Sequence, residues 1–123
     1  MTAAAGVRAP VQNRVSGGFT SVGAAGKRYR GDRTIDGLVV TVDGRPLDAR
    51  LDLKVFSHNG FEWGYEGSEP TQLALAILAE HLGDAERAKT LADQFMRDAV
   101  ANFSNEWEMT GADIDALLKP AGG

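Results

Sequence analysis

A chain of 123 residues that is 43% hydrophobic and 24% charged has the make-up of one globular domain, large enough to bury a core without covalent staples. It has no cysteine, which excludes disulfides, thiolate nucleophiles and cysteine-ligated zinc. A net charge of −4 and a pI near 5.1 argue against a general nucleic-acid binder, and the charge is polarised, with nine Lys/Arg against five Asp in residues 1–54 and four against twelve acidic residues in 55–123.

Residues 1–26 are rich in Ala, Gly, Ser and Thr and short of large apolar side chains, so they are expected to form a mobile arm. They contain no apolar run of signal-peptide length, and no window of the chain approaches the ~20 apolar residues of a membrane span, which points to a cytoplasmic protein. Lys27–Gly31 reads as a short first strand with Tyr29 facing inward, and the β-branched run Leu38–Val42 as a second. Asp43-Gly44 then signals a hairpin. Arg45–Leu53 is expected to return antiparallel, with Leu47, Ala49, Leu51 and Leu53 on one face and Asp48, Arg50 and Asp52 on the other. Val55 and Phe56 extend that strand or begin another. His58-Asn59-Gly60 is a turn, and Phe61–Tyr65 a last short strand that places Phe61, Trp63 and Tyr65 on one face.

The glycine-bearing turn Gly64–Ser68 leads into the element around which the rest packs. Ser68 or Glu69 is expected to cap a helix that Pro70 opens, and the run Leu73–Leu82 has too little polar surface to lie outside. Gly83 stops this helix and Asp84 caps the next, Ala85 to about Ala101, with a stripe of Ala88, Leu91, Ala92, Phe95, Ala99 and Val100. Phe103 and Trp107 close the core from an irregular connection. Thr110–Asp113 resembles a capping box before a short helix that buries Ile114, Leu117 and Leu118, and residues 120–123 form a tail. Strands first and helices after predict one α+β domain over residues 27–119, a small antiparallel sheet of three to four strands packed on two to three helices.

The stretch Gly60–Leu78 (Gly-Phe-Glu-Trp-Gly-Tyr-Glu-Gly-Ser-Glu-Pro-Thr-Gln-Leu-Ala-Leu-Ala-Ile-Leu) resembles the signature of an uncharacterised family of small bacterial, plasmid and phage proteins. Tyr29-Arg30-Gly31, the segment Pro46–Arg50 and a Trp followed by a Thr-capped terminal helix extend the resemblance over Tyr29–Leu118. Glu69 departs from the pattern, which often has a small residue before the proline. The resemblance implies a fold and a mobile-element context, and no activity.

Four constellations carry possible chemistry. Free N–H groups at the Gly64–Ser68 turn, with Gly64, Gly67 and Ser68 as contacts, can hold a small anion or nucleotide, against the simpler role of a tight turn with a capping serine. Ser57, His58, Asn59 and Glu62 contain hydrolase residue types, but neighbouring Ser57 and His58 point apart on an extended chain, so no catalytic residue is assigned. His58 and His81 lack metal-ligand spacing, and neither a metal nor a cofactor is expected. Tyr29, Phe61, Trp63 and Tyr65, with Lys27, Arg28, Arg30 and Arg33 nearby, can stack bases, although aromatics at period two more simply face a core. The residues therefore point to a non-enzymatic protein-binding module, with Arg28, Arg30, Arg33, Trp63 and Tyr65 as candidate partner contacts. A phage or mobile-element inhibitor of a host defence complex, of the anti-CRISPR kind, is one concrete form. An anionic-ligand protein using the Gly64–Ser68 turn is the alternative, and nucleic-acid binding through residues 27–33 the third.

Overall fold

Among the described residues, four antiparallel strands form one sheet in the order β3-β2-β1-β4, and three helices pack on its buried face, giving the expected α+β fold. The computed structural model describes residues 26–118; the expected arm, except Gly26, and the tail lie outside the described residues. Strands β1 (Arg28–Thr34) and β2 (Gly37–Val42) pair from Tyr29↔Val42 to Thr34↔Gly37. Their alternation is that of a half-buried sheet: Tyr29, Gly31, Val40 and Val42 are buried, whereas Arg28, Arg30 and Val39 are exposed. Asp43 and Gly44 make the hairpin turn with φ of 51° and 81°, the left-handed pair that a two-residue connection requires. Asp43 also fastens the strand start, its carboxylate accepting from Arg28 N at 2.9 Å.

The return strand is far shorter than the alternation predicts. β3 is only Arg45–Pro46. Leu47 still donates to Val40 O at 3.0 Å and is buried, but the chain then turns away. The Asp48 carboxylate accepts from Arg50 N at 2.8 Å, Arg50 adopts φ 57°, and Leu53 N donates to Arg50 O at 3.0 Å. These local bonds compete with a ladder. Leu51 therefore stands 41% exposed instead of facing the core.

Helix α1 (Ser68–Leu82) is the centre of the fold, with every residue from Pro70 to Ala79 buried. Gly83 ends it in the left-handed conformation, its N–H donating to Ala79 O. Helix α2 (Ala85–Asp98) starts at Asp84, whose side chain accepts from Arg87 N, and makes the most extensive helix contact with α1 through Ala88, Ala92, Phe95 and Met96. A 3₁₀ turn, Val100–Asn102, carries the chain to β4 (Trp107–Thr110), which pairs with β1. The irregular connection expected at Trp107 is thus a strand. Its two inward residues, Trp107 and Met109, give too short an alternation to stand out in sequence. Thr110 and Asp113 make the reciprocal cap of α3 (Gly111–Leu118), at 2.9 and 3.1 Å. Ile114 is buried and Leu118 partly so, but Leu117, expected inside, is 40% exposed.

Candidate functional site

The segment between His58 and Gly67 has no strand, and this separates aromatics expected to share a face. Trp63 is 1% exposed, its ring edge-on to Trp107 at 5.8 Å between centroids, while Phe103 stacks on Trp107 at 4.3 Å. Gly64 then adopts φ 90°, a left-handed conformation that costs a side-chain-bearing residue strain, and donates to Val100 O at 3.1 Å. That reversal sends Tyr65 outward, to 45% exposure. Phe61 lies partly buried against the core.

Arg33 reaches from β1 to hold this segment. Its Nη2 donates to Trp63 O at 3.0 Å, its Nε to Asn105 Oδ1 at 3.1 Å, and its Nη1 pairs with Glu62 at 2.9 Å. Its guanidinium also lies 4.8 Å from the Trp63 ring centroid. Lys27 pairs with Glu80 at 2.8 Å and Arg28 with Glu108. Three of the four cations read as a basic segment are therefore neutralised by carboxylates, and Arg30 lies exposed on the open sheet face.

At the start of α1, Ser68 makes no capping bond. The helix is preceded by Gly67, whose carbonyl accepts from Thr71 N at 3.0 Å and Thr71 Oγ1 at 2.7 Å. A Cβ on Gly67 would lie 2.8 Å from Tyr65 Cε2, so glycine there lets the tyrosine ring lie against the turn. The negative charge at this helix start is Glu69 itself. Its Oε2 accepts from Ser57 Oγ at 2.9 Å and its Oε1 from Tyr65 OH at 3.1 Å. The Ser57 hydroxyl, the backbone N–H of Glu69 itself and the Tyr65 hydroxyl hold this carboxyl below the ordinary range. An internal carboxylate thus stands where a bound anion would be favoured.

The hydrolase residue types are dispersed. Ser57 Oγ donates to Glu69 and accepts from Asn59 N at 3.0 Å, His58 is exposed, and Glu62 is paired with Arg33. His81 is buried at the end of α1 with Nε2 2.7 Å from Asp115 Oδ1 on α3. Among the described residues no three His, Asp or Glu side chains converge on a metal position. No described helix is long and apolar enough to cross a membrane.

Sequence reasoning missed Gln72, fully buried one turn into α1. Its Oε1 accepts from Phe56 N at 2.7 Å and Ser57 N at 3.1 Å, and its Nε2 donates to Ala49 O at 2.8 Å and Lys54 O at 3.1 Å. A lone glutamine in a helix otherwise buried all round was the available signal, because a buried amide must be bonded. Gln72 clamps the 49–57 segment, and with it Ser57, against the start of α1, which the turn carrying Tyr65 precedes.

No curated protein and no solved structure matches the chain. A family model does match, over residues 29–120, and by that match the chain belongs to a family of unknown function, DUF6166.

Proposed function

We propose that this protein is a non-enzymatic binding module that acts in the cytoplasm by occupying the surface of another protein, with Tyr65 at the centre of the contact. The observation that carries this reading is the state of that side chain: 45% exposed, yet tied by its hydroxyl to Glu69 and seated against Gly67. A large aromatic held in place before binding loses little freedom on contact, which is the property of interface anchors. Leu51 and Val55, both exposed and carried by the segment that Gln72 clamps, add apolar surface to the same protein. Trp63 and Arg33, by contrast, serve the fold.

A phage or mobile-element inhibitor of a host defence complex is the concrete form we favour, on the strength of the resemblance of Gly60–Leu78 to small mobile-element proteins. The anion-site alternative is opposed by Glu69 at the helix start, and the nucleic-acid reading by the paired state of Lys27, Arg28 and Arg33.

The test is an affinity capture from host lysate with tagged wild type and Tyr65→Ser, nuclease-treated, with mass spectrometry and a small-molecule extract. A protein retained by wild type and lost by the variant supports the proposal. A co-purified nucleotide without a protein partner overturns it.

A further inference from the structure

The surroundings of Tyr65 specify more than an aromatic anchor. Glu62 and Glu69 flank it in the chain, and Glu66, with its side chain 64% exposed, leads across to α2, where its Oε1 is 3.9 Å from Arg97 Nε. Arg97 is itself committed to Asp93 at 2.9 Å, as Arg33 is to Glu62 at 2.9 Å. Three carboxylates thus share two arginines and Glu69 is bonded only to hydroxyls, so the surplus is negative, in line with the acidic balance of residues 55–123. Partial burial first, then the hydrogen bond to Glu69 and the charges of Glu69 and Glu62, push the Tyr65 hydroxyl above the ordinary value against the opposing charge of Arg33.

We infer that the Tyr65 surface receives an arginine-bearing segment of a protein partner; this rests on the protein-binding reading above. A guanidinium can lie on the electron-rich ring face while forking to a carboxylate, which an ammonium does less well. The molecule already contains that arrangement beside the site, where the Arg33 guanidinium lies 4.8 Å from the Trp63 centroid with Nη1 on Glu62. Tyr65 is the exposed counterpart, a ring with carboxylates nearby and no arginine on it among the described residues. An acidic partner segment would be repelled by the same carboxylates, so the surface selects by charge as well as by shape.

The experiment titrates the isotope-labelled full chain at low ionic strength with three end-capped pentapeptides, glycine alternating with arginine, lysine or glutamate, and follows backbone amide shifts. We expect changes at residues 62–69 and 93–97 that are largest with arginine, smaller with lysine, absent with glutamate and suppressed by salt. Tyr65→Leu, at an exposed position, should weaken the arginine peptide roughly two- to fivefold while the remaining spectrum stays that of the folded protein. Absence of response at 62–69 to millimolar arginine peptide, or an equal response to the glutamate peptide, overturns the inference. Failure of the broader reading looks different. A captured partner that depends on Tyr65 but is indifferent to Glu66→Gln combined with Asp93→Asn keeps the binding module and overturns the basic partner. Capture that is indifferent to Tyr65 overturns both.

Discussion

Replacing Gln72 by Met tests whether one buried amide holds the loop that borders the candidate site. Methionine keeps the length and unbranched shape of the side chain, so packing changes little. What disappears is the set of four hydrogen bonds to Ala49 O, Lys54 O, Phe56 N and Ser57 N. At a net ~0.5–1.5 kcal/mol each, the four together contribute about 2–6 kcal/mol. Lys54 is exposed and Phe56 only partly buried, so water can recover part of the loss there. We therefore expect a destabilisation of about 3 kcal/mol, which at an m-value of about 1–3 kcal/mol/M lowers the urea midpoint by about 1–3 M. Hydrogen exchange should show the Phe56 and Ser57 amides losing protection before the amides of α1 do. Gln94→Met is the control, because Gln94 is exposed and bonds only Asp98, at 2.9 Å; its effect should stay within about 0.5 kcal/mol. A Gln72→Met protein within about 1 kcal/mol of wild type, with protected Phe56 and Ser57 amides, would refute the clamp.

Other outcomes follow from single contacts. Gly31→Ala places a Cβ 2.2 Å from Trp107 Nε1, so the indole must leave its stack on Phe103; a loss of about 1–3 kcal/mol and a changed near-ultraviolet tryptophan dichroism are expected. Ser68→Ala should be near neutral in thermal melts because Ser68 caps nothing, whereas Asp84→Ala, removing the bond to Arg87 N, should lose about 1 kcal/mol. Tyr29 is buried with its hydroxyl unpartnered among the described residues, and burial, then the charges of Glu80 and Asp43, raise its pKa. A raised value in the native state means that the stability it contributes is present below the unfolded pKa near 10 and is lost as pH rises above it. Alkaline unfolding should therefore move to higher pH in Tyr29→Phe, at no loss of stability near neutrality. Glu80 is the opposite case, its carboxyl held low chiefly by the Lys27 hydrogen bond. Its contribution is present above about pH 4.5 and lost as pH falls through the lower native value, so Glu80→Gln should flatten acid unfolding curves.

The elements that could be read from sequence were those whose pattern is set by a large buried partner. Helix α1 was legible because a continuous run of Leu, Ala and Ile cannot lie in water, and α2 because its stripe recurs at three and four. The Asp43-Gly44 hairpin was legible because few dipeptides accept its geometry. The same period-two reading failed in Arg45–Leu53, where the alternating leucines are real but Asp48 and Arg50 close local turns instead of a ladder. It failed again in Phe61–Tyr65, because a single left-handed glycine, Gly64, cancels the alternation and turns Tyr65 away from Trp63. Strand β4 shows only two inward side chains, too few for periodicity to register. At the candidate site, Gly67 and Tyr65 were legible as residue types, but their mutual contact was not, nor was the bond from Tyr65 to Glu69. Such contacts depend on where the ring swings after Gly64. Arg33 was visible as a charge and hidden as a latch, because its partners Glu62, Trp63 and Asn105 come from two distant segments.

The borders of the sheet have a bearing on how this protein meets its surroundings. On one side β3 ends after two residues at Pro46, which has no N–H to offer; on the other, β4 ends after four, with the Thr110 amide already held by the Asp113 carboxylate. Among the described residues, an incoming extended chain meets two short flanking strands, one lacking a donor at Pro46 and the other with the Thr110 donor engaged. Short, interrupted borders of this kind disfavour edge-to-edge pairing between copies and leave recognition chiefly to side chains.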